Sequence, residues 1–204
     1  MKTSAVSLFL ILMIGLALKP SLAFPFNDEE QKKEFSETFP VDKTTQVDIS
    51  NKMGSVHIKN WEKAEVSVRV VITVKNESKK DADNLFGKIS ISIEKQGNVV
   101  KAQTEIKEKI KNVDFSIDYE VVMPSYLNIN LNNKFGDVII EELKGKSNIE
   151  VKYGTLEAKR IMDDNTKPLS QITLGYCSSS KIEELNWAKL DIKYSKIKLE
   201  KSKA

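Results

Sequence analysis

The chain has 204 residues, 32 of them basic and 29 acidic, for a formal charge of +3. With 30% charged and 40% hydrophobic residues it suits a mixed, soluble surface, and its near-neutral balance carries no nucleic-acid signature. Its single cysteine, Cys177, excludes an internal disulfide, so apolar burial and backbone pairing must hold the fold.

Residues 1–23 read as a signal peptide. Lys2 supplies a basic start, "AVSLFLILMIGLAL" (5–18) an apolar run, and "SLA" (21–23) the small residues of a cleavage site. The apolar run is 14 residues long, short of the ~20 that a spanning helix needs, so cleavage is expected rather than a transmembrane anchor. No cysteine follows the site to carry a lipid anchor. Removing Lys2 and Lys19 lowers the formal charge from +3 to +1. An exported protein is expected: periplasmic, cell-surface or secreted.

Residues 24–40 form a polar leader segment, with "FNDEEQKKEFSETF" at 26–39. The region 41–124 is β-rich. "QVDIS", "SVHIKNW" and "EVSVRVVITV" alternate or carry β-branched runs, as strands do. A short helix is predicted near 78–87, because Ala82, Leu85, Phe86 and Ile89 fall at i, i+3, i+4 and i+7. Ser78 or Asn76 is its candidate cap, and Gly87 its candidate end. "KISISIEKQGNVVKAQTEI" (88–106) reads as a hairpin turning at Gln96–Asn98, and "VDFSIDYEVVMP" (113–124) as a strand stopped by Pro124.

From 125 to 200 the chain repeats itself, leaving 201–204 as a tail. "LNINLNNKFGDVII", "IEVKYGTLEA", "ITLGYCSSSK" and "LDIKYSKIKL" align on Phe135, Tyr153, Tyr176 and Tyr194, which are spaced by 18, 23 and 18 residues. "VDISNKMGSVHI" is an earlier copy, with Met53 as its pivot. Strand repeats at this period predict a small β-solenoid of about 18–23-residue coils. The expected fold class is therefore all-β, an N-terminal antiparallel sheet with one short helix continuing into that solenoid.

Each copy changes parity at its pivot. Val47 and Ile49, or Leu127, Ile129 and Leu131, set one parity before it; Val56, Val138, Leu156 and Ile197 resume on the other. A strand cannot do this without a bulge or corner. A small residue suits the corner because backbones crowd there and φ can turn positive. Gly54, Gly136 and Gly154 fit, whereas Cys177 and Ser195 depart from glycine. The pivots are expected to point inward and to stack as a packing ladder, a sugar-stacking platform being the alternative. The fourth copy has Ser179 where an apolar residue is due.

"FPVDKTTQVDISNKMGSVHIKNWEKAEVSVRVVI" and "IDYEVVMPSYLNINLNNKFGDVIIEELKGKSNIEVKYG" resemble the exported adhesin-domain proteins of unknown function common in Bacteroidetes. The resemblance covers roughly residues 38–199. It implies a β-helix-like repeat domain outside the cytoplasm and brings no catalytic residues. Relatives tend to continue through more "KY" coils. Here Lys193, Lys196, Lys198, Lys201 and Lys203 stand near the last strand, where they would discourage edge pairing.

Little in the sequence supports catalysis. His57, the only histidine, points opposite Val56 and Ile58, and Cys177 has no base near it in sequence. The outward carboxylates Glu150, Glu157 and Asp191 alternate with lysines, as on a solvated face. "MDDN" (162–165) offers oxygens for a cation but lacks calcium-loop spacing, so a polar loop is the expectation. Neither a metal nor a cofactor is expected. One outward feature recurs: Lys134, Lys152 and Lys193, with Lys52, each precede a pivot. They form a candidate stripe for an acidic polysaccharide or surface polymer. The expected role is a non-catalytic, adhesin-like binding or scaffold protein whose partner is a surface glycan or an envelope protein. A polysaccharide-acting enzyme and a regulator of an envelope protein are the alternatives.

Overall fold

The structure, a computed structural model, describes residues 30–75 and 77–203. The signal-peptide reading of 1–23 lies outside the described residues. The described strands fall into two sheets. In spatial order, sheet one is β1 (Glu30–Pro40), β4 (Glu65–Lys75), β7 (Asp114–Met123), β3 (Val56–Asn60), β9 (Val138–Leu143), β11 (Leu156–Met162), β13 (Ser180–Asn186) and β15 (Ile197–Lys203). Sheet two is β14 (Ala188–Lys193), β12 (Ser170–Gly175), β10 (Ser147–Lys152), β8 (Asn128–Lys134), β2 (Gln46–Lys52), β6 (Val99–Ile106) and β5 (Ile89–Gln96).

This architecture corrects the β-solenoid expectation. The repeats do stack in parallel: β2, β8, β10, β12 and β14 in sheet two, and β3, β9, β11, β13 and β15 in sheet one. Yet the strands close no tube. Both sheets run on into antiparallel pairs, β7–β4–β1 in sheet one and β6–β5 in sheet two, and each ends at two edges. The result is an open, sandwich-like all-β fold of two mixed sheets, with no separate N-terminal antiparallel sheet. Repeat spacing reveals that the chain turns at each pivot. It does not reveal that non-repeating strands join the same ladders.

Period-two burial builds the core. Val66, Val68, Val70, Ile72 and Val74 of β4 are fully buried, as are Ile149 and Val151 of β10 and Ile172 and Leu174 of β12. These side chains, from both sheets, form one apolar cluster. Residues 30–40, read as polar leader, are instead the edge strand β1, paired with β4 from Glu30↔Lys75 to Pro40↔Glu65. Phe35 and Phe39 pack against the core from that strand, and its remaining polar side chains suit an edge.

The helix α1 (Lys79–Lys88) links the sheets, burying Ala82, Leu85 and Phe86. Ser78 caps it by accepting a hydrogen bond from the Asp81 N–H. Gly87 lies exposed inside its last turn, and a methyl group there would meet nothing within 4 Å. Gly87→Ala is therefore expected to raise stability by about 0.5–1 kcal/mol, since alanine loses less backbone entropy in a helix. An unchanged or lower urea midpoint would contradict this.

Candidate functional site

The corners between the two sheets gather the features that recur. Met53, Phe135, Tyr153, Tyr176 and Tyr194 all adopt left-handed backbone, with φ of 66°, 63°, 55°, 57° and 50°. The left-handed residue is thus the pivot itself, not the small residue after it. Such a conformation costs a non-glycine residue about 1–2 kcal/mol. The stacked rings help to offset it: successive centroids from Phe135 to Tyr194 lie 5.0 Å apart, with interplanar angles of 16°, 5° and 13°.

The pivots are not inward, as parity suggested. Phe135 and Tyr153 are each 46% exposed, Tyr176 54% and Tyr194 82%. A left-handed residue rotates its side chain out of the strand's alternation, so extrapolating parity through the corner fails. The rings form an external ladder whose faces are occupied by each other. Its edges, and the outer face of Tyr194, are what solvent reaches.

The glycines after the pivots have a different role. A Cβ on Gly54 would lie 2.2 Å from the Ile117 carbonyl oxygen. On Gly136 it would lie 2.0 Å from that of Gly54, and on Gly154 2.0 Å from that of Gly136. Backbone stacks directly on backbone, and only hydrogen fits between. Buried Asn51 and Asn133 secure these corners. Asn51 donates to the Ile117 carbonyl at 2.9 Å, and Asn133 to those of Gly136 and Gly54 at 2.9 and 3.1 Å. Thr104 donates to Asn51 Oδ1 and bonds Tyr119, whose phenol burial pushes up to about 12 despite that hydrogen bond.

The fourth corner departs from glycine by adding a residue. Tyr176 is followed four positions later, not three, by the buried Ser180, which takes the place Leu156 holds in the coil before. The Leu156 N–H donates to Ser180 Oγ at 3.0 Å. Cys177 turns fully inward, and its N–H donates to Ser195 Oγ at 2.8 Å. Ser195 Oγ in turn donates to the Lys193 carbonyl at 2.8 Å.

The lysine stripe is in register. Lys52, Lys134, Lys152, Gly175 and Lys193 occupy one row across sheet two. Their surroundings differ. Lys134 is half-buried, with Nζ 4.8 Å from the Phe135 ring centre and 5.7 Å from that of Tyr153. Lys152 pairs with Glu150, whose hydrogen bond holds the ammonium above the ordinary lysine value. Its methylenes lie over Gly175. Lys193 pairs with Asp191 at 3.2 Å.

The remaining candidates do not converge. Glu150 and Asp191 lie in sheet two, while Glu157 lies in sheet one. His57 is half-buried on sheet one, remote in the chain order of that sheet from the buried Cys177 corner. In the "MDDN" loop, buried Asp163 accepts from Lys146 Nζ at 2.6 Å and from Ser170 N and Oγ at 2.8 and 2.6 Å. Asp164 accepts from the Thr166 hydroxyl and N–H, which hold its carboxyl down at about 2. These oxygens are committed to the loop. Among the described residues, no three His, Cys, Asp or Glu side chains gather to hold a metal ion, and no helix is long and apolar enough to cross a membrane.

No protein-family model matches the sequence, and no curated protein matches it. Solved structures do. A Clostridium sporogenes protein provisionally named a cell adhesion protein aligns with a TM-score of 0.53 at 12% identity, over 85% of this chain and all of that one. A Bacteroides fragilis protein provisionally named an adhesin aligns at 0.34 and 11% identity, over 83% of this chain and 95% of its own. A Parabacteroides distasonis protein provisionally named a lipid binding protein aligns at 0.32 and 13%, over 83% and 92%. The first likeness supports the fold.

Proposed function

We propose that this chain is a non-catalytic, exported, adhesin-like binding or scaffold module of the cell envelope or surface. Its contact region is the rim where the lysine row meets the aromatic ladder. The observation that carries this reading is the alignment of Lys52, Lys134, Lys152 and Lys193 in one register row beside four exposed, stacked rings. A row of cations at the inter-strand step, interrupted at Gly175, suits an extended polyanion, whose charges also repeat. The adhesion role ascribed to the Clostridium sporogenes protein of similar fold is consistent with it.

The ligand class is an acidic polysaccharide or another anionic surface polymer. Retention on polygalacturonate at low salt is the test. The combined Lys134→Ser, Lys152→Ser and Lys193→Ser variant is expected to bind about tenfold more weakly, because exposed charges act mainly through the local field. Added salt should weaken the unmodified protein likewise. Equal binding by the triple variant would remove this reading.

A further inference from the structure

We propose a second ligand site, for a neutral glycan chain, on the outer face of sheet two beside the lysine row. Parallel register sorts that face into rows. Beyond the basic row lies one containing Ser50, Asn132, Glu150 and Thr173, and beyond that one containing Asp48, Asn130, Asn148 and Gln171. Together they line a shallow cavity of about 460 Å³ whose lining includes no lysine or arginine.

The chemistry of this floor is that of hydroxyl recognition. An amide offers a carbonyl acceptor and two N–H donors, and a carboxylate accepts at both oxygens, so each can engage adjacent sugar hydroxyls in pairs. The floor is also held in place. Asn130 Nδ2 donates to Asp48 Oδ1 at 2.9 Å, and Gln46 Nε2 to the same oxygen at 2.7 Å. Asn132 Nδ2 donates to Glu150 Oε2 at 2.8 Å. Each bond uses one N–H and leaves the amide its second donor and its carbonyl. The Asn148 side chain bonds to no other described residue and presents its whole amide. Fixed side chains lose little entropy when a ligand arrives.

Charge decides which glycan. Asp48 and Glu150 are the cavity's only ionisable side chains, and both are acids. The lining offers a polyanion no cation, and Lys152 beside it is already paired with Glu150, whereas an uncharged chain finds acceptors and donors at every strand. Adjacent strands of the floor are about 4.8 Å apart, close to the length of one pyranose unit in an extended chain. A glycan crossing β2, β8, β10 and β12 would thus meet one polar side chain per sugar.

The site meets the lysine row only through the Lys152–Glu150 pair, and salt separates the two sites. Affinity electrophoresis in gels containing dextran, mannan, soluble starch or hydroxyethyl cellulose is expected to retard the chain in at least one of the four. High salt should not abolish the retardation. The combined Asn130→Ala, Asn132→Ala and Gln171→Ala variant should raise the apparent Kd about tenfold or more, from the loss of several hydrogen bonds. The Lys134→Ser and Lys193→Ser double variant, which keeps the Lys152–Glu150 pair, should bind as the unmodified protein does. All three floor residues are exposed, so folding should persist. Were it lost, Gln171→Ala alone would supply the comparison. Absence of retardation in all four gels, retention unchanged in the floor variant, or retention lost in high salt would each overturn the site.

Discussion

Gly136→Ala is expected to destabilise the fold by about 3–5 kcal/mol, more than an ordinary overpacking change. The added methyl carbon would sit 2.0 Å from the Gly54 carbonyl oxygen and 2.5 Å from its carbon. Neither atom belongs to a flexible side chain. The corner must therefore open, and with it the parallel bonds on both sides, including Gly54 N–H to the Phe135 carbonyl at 3.1 Å. Asn133 would lose its grip on both carbonyls at once. Gly154→Ala should behave alike, since it stacks on Gly136 in the same way. Positive φ is not the cause, because the left-handed residues are Phe135 and Tyr153. Denaturant unfolding measures the loss, with Gly87→Ala as the opposite-signed comparison. A Gly136→Ala midpoint equal to that of the parent would refute backbone stacking at this corner.

Asp163→Asn is expected to cost about 2–4 kcal/mol at neutral pH and far less in acid. The carboxylate is nearly inaccessible and bonds Lys146 Nζ, Ser170 N and Ser170 Oγ. Removing one partner of such a pair strands the other charge, but Lys146 is still partly in water and lies 3.5 Å from Asp164 Oδ1, which softens the penalty. Burial pushes the Asp163 carboxyl up, but the Lys146 ammonium and the two Ser170 donors outweigh it and hold it below its usual range. A carboxyl depressed in the folded state adds stability above its unfolded pKa of about 3.9, and loses it as pH falls through the folded value. The gap between parent and variant should therefore be constant near neutrality and narrow as pH drops below about 4. Thermal melts across that range supply the check, and a gap independent of pH would exclude the ion pair as its source.

Much of the strand content was legible because period-two burial is a local property. "QVDIS", "EVSVRVVITV" and "IEVK" alternate in sequence as they do in space. The helix was legible for the same reason, from Ala82, Leu85 and Phe86 on one face and Ser78 at its start. The recurrence of the corner and of the lysine before it could also be read, since a repeat places equivalent residues in equivalent positions. The amide floor was half visible, as Asn128, Asn130 and Asn132 share one parity in "LNINLNNK". Its partners, Asp48, Asn148 and Gln171, lie 18 or more residues from their cross-strand neighbours, and only register brings them alongside.

The sequence by itself determined the all-β class, the strand alternation and the five corners, because these depend on neighbours a few residues apart. Tertiary structure alone decided the rest. It turned the repeats into two open mixed sheets by letting β1, β4, β5, β6 and β7 join the same ladders. It sent Phe135, Tyr153, Tyr176 and Tyr194 outward, because a left-handed residue breaks the alternation by which direction is inferred. It also turned Gly54, Gly136 and Gly154 from flexible positions into contacts between backbones, a constraint that exists only once one coil lies on the next.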